Sequence, residues 1–114
     1  AINPLQSEGQ IAGGVMMGVG YAKSESFVTK EGRPVTDTLG KLKVPKITDL
    51  PDMDIILVED PQLEGPYGAK GMGELPVNPV APAVSNAIYD AIGVRVKTLP
   101  ITKEKVLAEI NAGN

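Results

Sequence analysis

Apolar side chains return at the helical period most clearly at Val80, Ala83, Val84, Ala87, Ile88, Ala91 and Ile92, which share one helix face. Asn78-Pro79 suits the cap and first residue of this helix, Pro82 allows a start as late as Ala81, and Gly93 stands where a glycine ends a helix. Val94-Arg95-Val96-Lys97-Thr98-Leu99 then alternates apolar and polar, predicting a strand with one covered face. Thr102 predicts the cap of a last helix from Lys103 to about Ala112, with Val106, Leu107 and Ile110 inward and Glu104 in its first turn. Upstream, the run Asp54-Ile55-Ile56-Leu57-Val58-Glu59 between Pro51 and Pro61 predicts a short buried strand. Ser24 to Val35 is polar and β-branched around Glu31-Gly32, a hairpin pattern, and Thr36 to Pro51 has no period and predicts an irregular surface connector. Asn3-Pro4 reads as a turn. Gln10 to Ala22 is uncharged and reads as a helix of about three turns, too short to span a bilayer. Helices and strands mix without a regular βαβ repeat, so the expected fold class is α+β.

Two glycine patterns cut across these elements. In the first helix Ile11, Val15 and Val19 form one row and Gly14 and Gly18 another, which has no side chains. Each interior glycine costs a helix up to about 1 kcal/mol against alanine, so the row implies close approach of another backbone or a rigid ligand. Gln10 lies at the N-terminal end of that helix, with an amide able to donate and accept. The second pattern is Gly65-Pro66-Tyr67-Gly68-Ala69-Lys70-Gly71-Met72-Gly73-Glu74-Leu75-Pro76, a loop around one carboxylate near its end. Gly68, Gly71 and Gly73 are free to take positive φ, which would turn successive N–H groups toward one anion or carbonyl. Glu74, at the lip of such a cradle, is a candidate general base on whatever the loop holds. The same composition also describes a solvated surface turn.

Composition narrows the chemistry. The chain has 114 residues, 42% hydrophobic and 22% charged, enough for one domain with a modest core. The net charge is −3 and the Lys and Arg residues are scattered, so there is no electrostatic footprint for nucleic acid. With neither Cys nor His, disulfides, His- or Cys-ligated metals, a cysteine nucleophile and a Ser-His-Asp triad are excluded within these residues. The chain opens Ala1-Ile2-Asn3-Pro4, without an initiator Met or a signal-like segment, and reads as a piece of something longer.

Asn3-Pro4, Gly9-Gln10-Ile11-Ala12-Gly13-Gly14, Gly18-Val19-Gly20-Tyr21-Ala22, the loop Gly65 to Glu74, the helix Ala81 to Gly93 and Leu99-Pro100 occur in this order. Together they resemble the C-terminal end of the large, molybdenum-binding subunit of the xanthine dehydrogenase and aldehyde oxidoreductase family. Leu42-Lys43-Val44-Pro45 and Asp49-Leu50-Pro51 extend the resemblance, which departs at Leu42, where such enzymes often carry an aromatic. What the resemblance implies is a molybdopterin-binding domain of which residues 1–114 are the C-terminal fragment, with the metal held by a pyranopterin rather than by His or Cys. It implies further that Glu74 is the catalytic glutamate beside the metal, that Gln10 hydrogen-bonds the cofactor, and that Gly71, Met72 and Gly73 bring backbone amides to the metal site. Lys70 is left between pairing with the anionic cofactor and being a solvated loop charge.

The implied partners are the remainder of the molybdenum subunit, iron–sulfur and flavin subunits or domains, and a small-molecule substrate, with no nucleic acid and no membrane. The implied location is the cytoplasm. Two other readings stand beside this one: a non-catalytic binding or assembly module of the same fold that holds no metal, and a small phosphate-binding domain, weakened because the loop lacks a Gly-Lys-Ser/Thr ending. A further expectation is that the Gly14/Gly18 face and part of the Val80 to Ile92 face are apolar surfaces shaped to meet other polypeptide.

Overall fold

The structure, a computed structural model, describes residues 1–113. In chain order it contains helix α1 (Pro4–Lys23), strands β1 (Thr29–Lys30) and β2 (Arg33–Pro34), a one-turn helix α2 (Leu39–Leu42), α3 (Val80–Ile92) and α4 (Lys103–Ala112). Short 3-10 turns at Ile47–Asp49 and Pro66–Gly68 punctuate the long connection between α2 and α3. Helices and a hairpin occur in one chain, the expected α+β mixture, although helix dominates.

α1 is 20 residues long, starting well before the expected Gln10. Asn3 and Pro4 do not form a turn: the Asn3 side chain accepts a hydrogen bond from the Gln6 N–H at 3.1 Å, and Pro4 takes the first helical position, where a missing N–H costs nothing. The interior glycines are tolerated because of what lies against them. A Cβ at Gly14 would sit 2.6 Å from the Pro76 Cβ, and one at Gly18 would sit 2.5 Å from the Val80 Cβ. The close approach foreseen for this face is therefore made by the start of α3 and the turn before it. This corrects the expectation that the Gly14/Gly18 face meets other polypeptide.

α3 begins at Val80, ends at Gly93 with φ 73°, and closes with the Gly93 N–H on the Tyr89 carbonyl at 2.8 Å. Its face is only partly covered. Val80 is buried and Val84 and Ile88 half-buried, whereas Ala83, Ala87, Ala91 and Ile92 are exposed. After α3 the chain returns to the end of α1, where the Ile101 N–H donates to the Ala22 carbonyl at 2.6 Å. Ala22, Val80, Val96 and Ile101 are the buried apolar side chains among the described residues. α4 follows from its Thr102 cap, and the Lys105 ammonium donates to the carbonyls of Thr98, Leu99 and Pro100 at 3.2, 3.2 and 2.9 Å, which holds the preceding turn against the helix.

The hairpin matches expectation, with Thr29 opposite Pro34 and Lys30 opposite Arg33 and with Glu31 and Gly32 both at positive φ, 52° and 75°. That pair of angles is the type I′ geometry suited to strand twist. The other two expected strands are not strands. Neither Asp54–Glu59, expected as a buried strand, nor Val94–Leu99, expected as an alternating one, is assigned to a strand or has a sheet partner among the described residues. Leu57 and Ile55 are half-buried, while Ile56 and Val58 are 82% and 86% exposed, so the first of these runs is not buried either. The connector from Thr36 to Pro51 is irregular apart from α2, which Thr38 caps, and the turn at Ile47.

A site where helix α1 meets the glycine loop

The loop is tied into a compact knot at its start. The Gln62 N–H donates to the Gly68 carbonyl at 3.0 Å, Gly65 N–H to Gln62 at 3.3 Å, Gly68 N–H to Gly65 at 2.9 Å, and Ala69 N–H to Pro66 at 3.0 Å. Tyr67 sits in the left-handed region (φ 53°, ψ 24°) with its side chain 98% exposed, and Gly68 follows at φ 76°. A Cβ on Gly68 would meet the Pro61 Cβ at 2.7 Å, so both backbone angle and space demand glycine there.

This corrects the expected cradle. Of the three glycines read as cradle residues, only Gly68 has positive φ, and its N–H is already used on Gly65. Gly71 and Gly73 lie outside the left-handed region, and nothing stands within 4 Å of where a Cβ would be on either. Their contribution is open approach to the backbone. Met72 between them is half-buried, and Lys70 forms an ion pair with Asp60. That answers the question left by Lys70: in this structure its partner is a side chain of the chain itself, and both groups are well exposed, so the pair has little energetic weight.

Between this loop, the Ile56–Pro61 segment and the first half of α1 runs a groove of about 750 Å³. The helix lines it with Asn3, Gln6, Ser7 and Gln10, and the loop with Tyr67 through Met72. The volume lies in the range of small-molecule and cofactor sites, roughly 300–1,000 Å³. Sequence reasoning singled out Gln10 but missed Asn3, Gln6 and Ser7. The signal was present, because Asn3, Gln6 or Ser7, and Gln10 recur every three or four residues as one polar row.

Gln10 joins the two motifs. Its Nε2 donates to the Gly73 carbonyl at 2.6 Å across 63 residues of sequence, and a carbonyl partner requires that the amide nitrogen face it. Glu74 is the next residue. It is exposed, and its carbonyl accepts from the Val77 N–H at 3.2 Å in the turn that leads to α3. Its carboxylate takes no hydrogen bond or ion pair among the described residues. Gly73 and Glu74 are not among the residues that line the groove, although Gln10, which is, holds the Gly73 carbonyl. Glu104 lies in the first turn of α4, where its own backbone N–H and the Thr102 hydroxyl stabilise the carboxylate and lower its pKa below the ordinary value. Among the described residues no group of three His, Cys, Asp or Glu side chains is placed to hold a metal.

Residues 1–51 match the family model described as the molybdopterin cofactor-binding domain. Over 112 residues, 96% of the chain, the sequence is 38% identical to the xanthine dehydrogenase molybdenum-binding subunit of Escherichia coli O157:H7, and over 111 residues it is 43% identical to the aldehyde oxidoreductase of Megalodesulfovibrio gigas. Along nearly its whole length the chain is similar to the molybdenum-binding part of the xanthine dehydrogenase and aldehyde oxidoreductase family. It spans 15% and 12% of the length of those two relatives. Solved members of the family share its shape as well. The quinoline 2-oxidoreductase of Pseudomonas putida 86 superposes with a TM-score of 0.87 at 35% identity, over 97% of this chain and 15% of that one. The aldehyde oxidoreductase of Desulfovibrio desulfuricans superposes at 0.83 with 42% identity, over 94% of this chain and 12% of that one. The likeness to these family members runs through both α1 and the glycine loop, whereas the family model covers α1 and stops before the loop.

Proposed function

We propose that residues 1–114 are the C-terminal part of the molybdopterin-binding domain of a molybdenum hydroxylase, which oxidises a heterocycle or an aldehyde with oxygen derived from water. The observation that carries this is the meeting of Gln10 with the residue before Glu74: two family-like motifs far apart in sequence converge beside one groove. The donor set fits a pyranopterin. Asn3, Gln6, Ser7 and Gln10 offer amide and hydroxyl groups suited to ring nitrogens and a phosphate, and Gly71 and Gly73 leave the backbone open to a flat ligand. When bound, the molybdenum cofactor takes up the electrons that leave the substrate carbon.

The chain's own residues then divide the remaining work. Gln10, Gly71, Met72 and Gly73 bind and orient the cofactor. Glu74, whose carboxylate is free, accepts a proton as oxygen is added to an electron-poor carbon. The rest of the subunit supplies the opposite wall, and iron–sulfur and flavin subunits or domains carry electrons away.

The test uses Gly71→Val in the complete subunit. The space beside Gly71 is open, so the fold should accept the side chain, while a ligand lying against the backbone should not. The expected result is a melting temperature within a few degrees of the parent with molybdenum and pterin content sharply reduced. Unchanged content would contradict the placement of the cofactor, and a complete parent subunit carrying neither molybdenum nor pterin would contradict the function itself.

A further inference from the structure

The face of α1 that meets the glycine loop has a regular ladder of contacts. Gln10, Gly14 and Gly18 are spaced four apart and so lie in one row along the helix. In order, they meet the Gly73 carbonyl, Pro76 and Val80. Glu74 falls between the first and second rungs. On its N-terminal side the Gln10 amide holds the peptide that joins Gly73 to Glu74. On its C-terminal side Pro76 is seated on Gly14, and the Val77 N–H holds the Glu74 carbonyl.

The two sides are not equally secure. Beyond Glu74 the chain has a proline, a turn hydrogen bond and the buried Val80. Before it, Gly71-Met72-Gly73 makes no backbone–backbone hydrogen bond among the described residues, and two of its three residues are glycines with free space beside them. Its two glycines give the stretch more conformational freedom than other residues would at those positions. Among the described residues the Gln10 hydrogen bond is the one polar restraint on it.

We propose that Gln10 is a positioning residue for the Glu74 carboxylate, acting through the Gly73 carbonyl, in addition to facing the groove. One N–H of its amide is used on Gly73, which leaves a second N–H and the oxygen for a bound ligand, so the same side chain couples occupancy of the groove to the orientation of Glu74. The proposal rests on the reading of Glu74 as general base for its kinetic arm only. Displacing a reacting group by about 1 Å costs up to 10²-fold in rate. Gln10 is exposed and alanine favours helix, so Gln10→Ala removes the contact without threatening α1. Gln10→Glu keeps the shape but presents an acceptor to the Gly73 carbonyl, and serves as the second variant.

The experiment is a double-mutant cycle in the complete, cofactor-loaded subunit, joined to crystal structures of cofactor-free parent and Gln10→Ala subunits. Gln10→Ala and Gln10→Glu should each lower kcat per bound molybdenum about 10–100-fold with KM near the parent value, beyond any loss of loading caused by the contact of Gln10 with the ligand. In a Glu74→Gln background the same changes should have no further effect. A kcat per bound molybdenum equal to that of the parent, or an equal fold-loss in both backgrounds, would overturn the proposal in favour of simple cofactor binding. In the crystals the Glu74 carboxylate should move by about 1 Å or adopt more than one orientation once Gln10 is gone; a superimposable Glu74 would overturn it as well. If Glu74→Gln alone kept full turnover, the general-base reading would fail, and the crystal comparison would still decide whether Gln10 positions Glu74.

Discussion

At the scale of single residues, the clearest instruction in this chain is the absence of side chains. Gly14 and Gly18 are costly in a helix, and the structure shows the return: Pro76 and Val80 sit where Cβ atoms would be. Two opposing effects meet in a Gly→Ala substitution there. Alanine gains up to about 1 kcal/mol of helix propensity, while forcing a methyl into a filled space costs typically about 1–3 kcal/mol. At Gly14 and Gly18 the clash should win, and at Gly13, which has nothing within 4 Å, propensity should win. Thermal unfolding of the complete subunit should therefore show Gly14→Ala and Gly18→Ala below the parent and Gly13→Ala level with it or above. A raised melting temperature for Gly14→Ala would show that the contact with Pro76 is not tight. The row itself was legible in the sequence, because glycines four apart must share a face. Its partner was not, since nothing local in Gly14 points to a proline on a loop far along the chain. Tyr67 went unread for a related reason: a bulky residue at positive φ is forced by the hydrogen bonds of its loop, not by its own preference.

At the scale of elements, what could be read depended on whether the cause was local. α3 and α4 follow from periodicity and caps, and Thr102, Glu104 and Gly93 occupy the roles their types suggest, although Leu107, expected to face inward, is exposed. The hairpin at Glu31-Gly32 is equally local. Asp54–Glu59 and Val94–Leu99 fail as strands because a strand is defined by its neighbour, and alternation in one segment carries no information about whether a partner exists. The early start of α1 is a different kind of miss: Asn-Pro serves turns and helix starts alike, and the Gln6 N–H decides between them. A prediction at this scale concerns the cap of α4. Thr102→Ala removes the side-chain acceptor of the Lys105 N–H and should cost about 0.5–2 kcal/mol, read as a lower denaturant midpoint. The same substitution removes the hydroxyl that stabilises ionised Glu104. Because the Glu104 pKa is lowered on folding, its contribution is present above the ordinary value of 4.5 and lost as pH falls through the lowered one. The gap between parent and Thr102→Ala should therefore narrow in acid. A gap that widened there would contradict the Thr102–Glu104 contact.

At the scale of the whole molecule, the chain is far more open than a protein of its mass. Its accessible surface is 8828 Å², against about 5,900 Å² for a compact monomer of 11.9 kDa. The radius of gyration is 17.5 Å, where about 13 Å is usual for this length. Ile56, Val58, Leu63 and Tyr67 stand almost fully exposed around the groove and the loop. Yet the path of the backbone matches that of family members several times longer, with a TM-score of 0.87 in one case. Openness and likeness together support the proposed function, in which an assembled enzyme gives the groove its other wall and Glu74 its surroundings. None of the described helices is long and apolar enough to cross a membrane.

The central claim, that this surface delivers Glu74 as the proton acceptor of a molybdenum hydroxylase, can be read only in that assembly. The most direct measurement is the rate at which substrate reduces the complete enzyme on rapid mixing, with Glu74→Gln compared to the parent at matched molybdenum content. The amide keeps the shape of the carboxylate and cannot take up the proton, so the fold and cofactor content should persist while the rate falls at least about 10²–10⁴-fold. A fully loaded Glu74→Gln enzyme that is reduced at the parent rate would contradict the account.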